Sequence, residues 1–143
     1  MKAWLKLFAL LIAVLALTGV SFAADENLQA ATTAAEQWLA LVDSGHYGES
    51  WEQAASFFKE KVAKQDWLNE MNNGQASLGK MQSRQFKSAQ YETKLPKAPE
   101  GKYFVLQYRT KFANAPDVVE TVTPMLDRDG QWRVSGYYIR PAD

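Results

Sequence analysis

The sequence contains no cysteine and a single histidine, His46. Without thiols there are no disulfides, no thiolate metal sites, no iron–sulfur clusters and no cysteine nucleophile. One histidine cannot build a multi-histidine metal site, and no Ser-His-Asp arrangement can be assembled around it. An excess of one charge is also lacking, with 16 basic residues against 16 acidic ones. There is thus no basic field to draw in nucleic acid. Glycine-rich phosphate loops and dinucleotide fingerprints are absent, as are repeats and low-complexity tracts. No metal or cofactor is expected.

The N-terminus carries the one long apolar run. Lys2 and Lys6 precede an unbroken apolar stretch, Leu7 to Leu17, and Ser21-Phe22-Ala23 follows. A positive start, an apolar middle and small residues at a cleavage site are the layout of a secretory signal. An uncleaved anchor is the competing reading, but the run is well short of the roughly 20 residues that span a bilayer. The expectation is a signal peptide over 1–23 and one domain over 24–143, periplasmic or secreted, with no membrane span after cleavage. No cysteine follows Ala23, so a lipid anchor is excluded. Losing Lys2 and Lys6 takes the 16 basic residues to 14 against 16 acidic ones, a net charge near −2.

Helical patterns come first in the expected domain. Leu28, Ala31, Ala35, Trp38, Leu39 and Val42 form one apolar stripe, and Gly45 stands where a left-handed C-terminal cap belongs. A second stripe runs through Tyr47, Trp51, Ala54, Ala55, Phe58 and Val62. A third short helix is predicted from a cap at Asp66 through Trp67, Leu68 and Met71, stopped by Asn72-Asn73-Gly74.

After Gly79 the period changes. Residues 80–93 read as a long, irregular strand, and 95–101 as a loop with two prolines and a glycine. Residues 102–112 alternate, 118–126 are β-branched, and 127–140 hold Asp-Gly between apolar runs, a hairpin signal. Three helices followed by four antiparallel strands make an α+β domain.

The strand register follows from matching apolar to apolar. A three-residue turn with Gly130 left-handed pairs Leu126 with Trp132, Pro124 with Val134 and Val122 with Gly136. A three-residue loop Asn114-Ala115-Pro116 pairs Phe112 with Val118, Tyr108 with Val122 and Phe104 with Leu126. The predicted buried face is Phe104, Leu106, Tyr108, Phe112, Val118, Val122, Leu126, Trp132, Val134 and Tyr138. Val105, Val119, Thr121, Thr123, Met125, Tyr137 and Ile139 fall on the outer face, among Arg109, Lys111 and Arg133.

Glu120 is the misfit. It falls on the apolar face, opposite Thr110 and close to Tyr138, where an unpaired carboxylate costs several kcal/mol. Either it lies at a wet margin or a bulge turns it outward, or Glu120, Thr110 and Tyr138 form the polar floor of a pocket. Tyr108 and Trp51 are the aromatic candidates to line such a pocket. Asp127 and Asp129 are not a calcium loop, because two aspartates with no closing glutamate do not make one; they read as turn residues. Arg84 and Arg109 are candidates to meet an anionic ligand, or else make weak surface ion pairs.

The segments WLALVDSGHYGESWEQAASFF, LGKMQSRQF, LPKAPEGKYFVLQYRTKF and VETVTPMLDRDGQWRVSGYYI, in that order, resemble domain of unknown function family 4019 of exported bacterial proteins. The resemblance covers nearly the whole domain and implies an envelope location; it supplies no reaction, cofactor or catalytic residue. Gly45-His46-Tyr47 departs from the Gly-acidic-Tyr expected there, so His46 is not carried over as a family feature. The order of helices before a curved sheet is also similar to the nuclear transport factor 2-like (NTF2-like), cystatin-like cone, in which helices close over a concave sheet. Both enzymes and binding modules use that cone, so fold does not choose between them.

Three functions follow as expectations. The first is a non-catalytic envelope module taking a small apolar or amphipathic ligand or an envelope protein. The second is an enzyme running acid–base chemistry in the cone, for which Glu120 and Tyr138 are the only pair the register brings together. The third is a homodimer joined through the outer sheet face.

Overall fold

The computed structural model describes residues 24–143, and the leader expected over 1–23 lies outside them. Ala31–Asp143 form one compact unit. Helix α1 spans 24–43, followed by α2 (Tyr47–Glu52), α3 (Ser56–Lys61) and α4 (Lys64–Leu78). Strands β1 (Met81–Glu92), β2 (Tyr103–Phe112), β3 (Ala115–Leu126) and β4 (Trp132–Pro141) form one antiparallel sheet in the order β1-β2-β3-β4. The class is α+β as expected, with four helices among the described residues where three were predicted.

The extra helix arises from a break inside the second stripe. Ala55 is extended (φ −60°, ψ 151°), and its N–H donates to Val134 O of β4 at 2.8 Å. A ladder bond to the sheet replaces the helical bond and splits the stripe into α2 and α3. At the end of α1, Gly45 N–H donates to Val42 O and His46 N–H to Leu41 O, the double closure of a Schellman cap. The third helix is longer than predicted. Ala63, not Asp66, is its N-cap, and Asn72-Asn73-Gly74 lies inside it. Weak helix formers there are overridden by position: Asn72 Nδ2 bonds back to Leu68 O at 2.8 Å, and Trp67 is buried in the core.

The real stop is Gly79, with φ 72° and ψ −166°, a region essentially confined to glycine. A Cβ there would meet Ala113 Cβ and Asn114 Nδ2, each at 3.0 Å. Gly79→Ala is therefore expected to destabilise by about 1–3 kcal/mol. Urea unfolding measures it, and a change near zero would contradict the backbone assigned here.

The core lies between the helices and one sheet face. Ala31, Ala35, Trp38, Leu39 and Val42 of α1 are buried as the stripe predicts. Trp38 and Trp67 meet at 5.7 Å between ring centroids, and Phe58 stands edge-on to Trp67 at 5.2 Å. Ser50 is the polar hub of this cluster. Its carbonyl accepts Trp38 Nε1 at 2.9 Å and its Oγ accepts Trp67 Nε1 at 3.0 Å, so both indole donors are satisfied inside the core.

The β2–β3 register differs from the expected one by two residues. Tyr108 pairs with Glu120, Leu106 with Val122 and Thr110 with Val118, while Phe112 pairs with Ala115 across a shorter turn. A shift of two preserves faces, and the predicted inner set on these strands is buried or half-buried. The irregularity falls between Thr110 and Phe112, opposite Pro116. A proline inside a strand is tolerated at such a bulge.

The β3–β4 register holds at Leu126–Trp132 and Pro124–Val134, then slips by one, so that Val122 meets Tyr137 rather than Gly136. The cause is Pro124, which has no N–H to give the ladder. Opposite it β4 inserts Ser135, whose Oγ donates to Thr123 O at 2.8 Å. A one-residue slip exchanges faces. Tyr137 and Ile139 lie on the inner face, and Tyr138, placed inside by the sequence reading, is 57% exposed. The outer face is not uniformly wet either. Tyr103 and Met125 are buried there with Ala55, under Phe57, Leu95 and Ala98.

Candidate functional site

Glu120 is on the inner face as predicted, but it is no wet-margin residue. Its side chain is 0% exposed, and four donors reach its two oxygens. Arg84 Nε donates to Oε1 at 2.7 Å and Arg84 Nη2 to Oε2 at 3.2 Å. Thr110 Oγ1 donates to Oε1 and Tyr137 OH to Oε2. Arg84 also clasps Asp43, Nη1 to Oδ2 at 2.6 Å and Nη2 to Oδ1 at 3.0 Å. One guanidinium thus bridges the last turn of α1 and the middle of β3.

The elements explain the placement. Arg84 pairs across β1–β2 with Thr110, so both face inward beside Glu120. Met81, Phe86, Ala89 and Tyr91 share that face because β1 is bulged between Met81 and Ser83 and between Phe86 and Ser88, which breaks strict alternation. Asp43 sits in the last turn of α1, where a carboxylate opposes the helix dipole and the Arg84 charge offsets it. Burial works against the Arg84 charge, yet the hydrogen bonds and charges of Asp43 and Glu120 outweigh it and raise its pKa further. Burial, then the Glu120 charge, pushes the Tyr137 hydroxyl far above the ordinary tyrosine range. Tyr137 therefore stays a proton donor to Glu120.

Of the predicted site residues, Glu120 and Thr110 meet, and Tyr108 lies beside Glu120 in register. Tyr138 does not join them; Tyr137 takes its place. Trp51 is elsewhere. Its Nε1 donates to Val62 O at 2.8 Å and Lys59 and Lys64 lie over its ring, so it braces the α2–α4 segment. Arg84 meets side-chain carboxylates of the chain itself, and Arg109 forms an exposed pair with Asp117. Asp43 and Tyr137 were not foreseen. The acid in the last turn of a helix and the proline inside a strand were the available signals.

Two cavities flank the network, and Asp43 lines both. One, of about 330 Å³, lies among α1, α4 and the far ends of β2 and β4, with Val42, Trp67, Met71, Phe112 and Tyr137 in its walls. The other, of about 310 Å³, is lined by Glu36, Leu39, Ala40 and Asp43 of α1 and by Arg84, Phe86 and Tyr108. Tyr108 is 2% exposed, and its hydroxyl has no hydrogen-bond partner in the protein. Burial first, and then the Glu36 charge, pushes it up to about 12.

The hairpin aspartates act as turn residues, and Asp127 does more. It accepts Ser56 N–H at 3.0 Å, Ser56 Oγ at 3.1 Å and Arg128 N–H at 2.8 Å, which ties the start of α3 to the β3–β4 turn. Asp129 accepts both terminal nitrogens of Arg133 and is held at a pKa of about 2. Among the described residues no group of three or more His, Cys, Asp or Glu side chains could hold a metal ion. Burial opposes the Asp127 charge, but the Ser56 and Arg128 N–H groups and Arg133 together lower its pKa. The unfolded chain then takes up the proton first as pH falls. This stabilisation is present above the ordinary carboxylate pKa of about 4 and is lost below it, through the lower folded value. Urea midpoints are expected to fall more steeply below about pH 4 in the parent than in Asp127→Asn. Parallel curves would assign the acid sensitivity elsewhere.

The element order and the sheet define the class: an α+β domain with helices over a four-stranded antiparallel sheet, a fold of the NTF2-like type. A protein from Shewanella frigidimarina NCIMB 400, provisionally assigned as a ketosteroid isomerase, shares it with a TM-score of 0.52 and 14% identity. The match covers 78% of this chain and 94% of that one. The chain belongs to the family described as Protein of unknown function (DUF4019), whose profile matches residues 34–137. That span contains Asp43, Arg84, Thr110, Glu120 and Tyr137. No curated protein matches the sequence significantly.

Proposed function

We propose that the protein is a non-catalytic binding domain of the bacterial cell envelope, taking a small ligand in a cavity beside the Glu120 network. One observation carries this reading. A carboxylate offers about four lone-pair sites, and Glu120 has four donors on it. A general base needs a lone pair facing its substrate, and Glu120 has none to spare. The network is thus a rigid partition with cavities on either side, which suits binding better than proton transfer. Likeness to the Shewanella protein at 14% identity extends to fold alone. Export rests on the residue pattern of 1–23, and no helix among the described residues is long and apolar enough to cross a membrane.

Native mass spectrometry of protein drawn from its own periplasm tests this. The expected result is a chain beginning at Ala24 with an added mass that disappears on denaturation. A bare monomer from several growth conditions would sink the small-ligand reading. A bare dimer would shift attention to the outer face, where Val105, Val119 and Tyr138 remain half-buried or exposed.

A further inference from the structure

We propose that the cavity between α1 and the β1–β2 edge binds a small organic cation, an ammonium group on an apolar body. The inference rests on the binding-domain reading and names its ligand class. Glu36, Leu39, Ala40 and Asp43 share one face of α1 by their spacing and form one wall; Phe86 and Tyr108 form the other. Their rings meet edge to face at 5.7 Å, with Phe86 46% exposed at the mouth and Tyr108 buried behind it.

Charge selects the sign of the ligand. Two carboxylates, Glu36 and Asp43, line the cavity against the single Arg84 guanidinium, whose charge the buried Glu120 behind it also offsets. Arg84 is no anchor for an anion, since Nε and both terminal nitrogens already donate to Asp43 and Glu120. An anion would meet a net negative wall with its donors occupied. A cation meets that excess together with two aromatic rings in the wall, the combination by which proteins hold ammonium groups. The second, independent mark is the Tyr108 hydroxyl, buried without a partner. Such a group costs stability unless something bonds to it, and an ammonium N–H is a fitting donor to its oxygen. The polar groups around the other cavity lack this mark, because Tyr137 is already bonded to Glu120.

Calorimetric titration of the full chain with benzylamine, benzyltrimethylammonium and benzoate tests the proposal. Both cations are expected to bind and benzoate is not, with affinity falling as salt rises. Glu36→Gln and Phe86→Leu are each expected to weaken the cations by roughly fivefold or more. Glu100→Gln, which removes the same charge beside a different cavity, leaves them unchanged. Tyr108→Phe removes an unpartnered hydroxyl, so its stability equals or exceeds that of the parent. It weakens benzylamine, which has N–H donors, more than benzyltrimethylammonium, which has none. Benzoate binding as well as the cations, or Glu36→Gln behaving like Glu100→Gln, overturns the proposal. If neither cation binds while the native protein still carries a lost-on-denaturation mass, the ammonium assignment falls alone. If there is neither cation binding nor such a mass, the binding-domain reading falls with it.

Discussion

Glu120→Ala is expected to lose about 3–5 kcal/mol of stability, a large share of what a domain of this size has. Three effects act together. The Arg84 charge, 13% exposed, keeps only Asp43 as a partner. The Tyr137 and Thr110 hydroxyls lose their acceptor in a site closed to water. A cavity the size of a glutamate side chain opens under α1. Glu120→Gln keeps the shape and one oxygen but turns an NH2 donor toward a donor, so it is expected to lose less, about 2–3 kcal/mol. Urea unfolding at neutral pH orders the two. A loss below about 1 kcal/mol for Glu120→Ala would mean that the network is not formed as described. The loss concerns breaking the network, not its net worth against an apolar core, since well-packed hydrophobic replacements of buried ion pairs are often neutral.

Trp38→Ala is expected to lose a comparable 3–5 kcal/mol. Trp38 is 3% exposed and joins the two halves of the core. It packs on Trp67 of α4, stands edge-on to Tyr137 of β4 at 5.2 Å, and donates to Ser50 O. Truncation leaves a large void and one orphaned carbonyl. Trp38→Phe keeps much of the ring and is expected to lose distinctly less. At about 3–5 °C per kcal/mol for a domain of this length, Trp38→Ala lowers the melting temperature by more than about 9 °C. Because Trp38 holds the ring of Tyr137, Trp38→Ala and Glu120→Ala are coupled, and the double variant is expected to lose less than the sum. Strict additivity would show that Tyr137 transmits nothing between them.

The misreadings along the chain have different physical weight. Tyr108 was matched to a partner two residues from its true one and Phe112, beyond the bulge, to one three residues away, with no consequence for which side chains are inside. The single-residue slip at Pro124 exchanged Tyr138 for Tyr137, and with it the identity of a site residue. The proline was visible in the sequence. Its effect was not, because a missing N–H can be accommodated by a bulge on either strand, and the packing of Val134 and Tyr137 chooses between them. Asn72-Asn73-Gly74 misled for a related reason: propensities of about 1 kcal/mol or less yield to a helix face anchored by Trp67. Glu120 stood out because a carboxylate breaks an apolar strand face. Its partners could not be named, since Arg84 and Asp43 lie 36 and 41 positions apart from Glu120 and from Arg84 respectively.

The sequence by itself determined the class of fold, the apolar face of α1, the hairpin at Gly130, the inner faces of β2 and β3 and the anomaly at Glu120. All of these are local patterns or short-range pairings, for which periodicity and turn chemistry suffice. Only the tertiary structure decided that Arg84 binds Asp43 and Glu120 rather than solvent, that Tyr137 and not Tyr138 completes the network, and that Tyr108 is left with a buried, unpartnered hydroxyl. Each of these depends on bulges and on long-range contacts between α1 and the sheet. A buried charge is stable only where such distant partners arrive together, and no local pattern encodes their arrival.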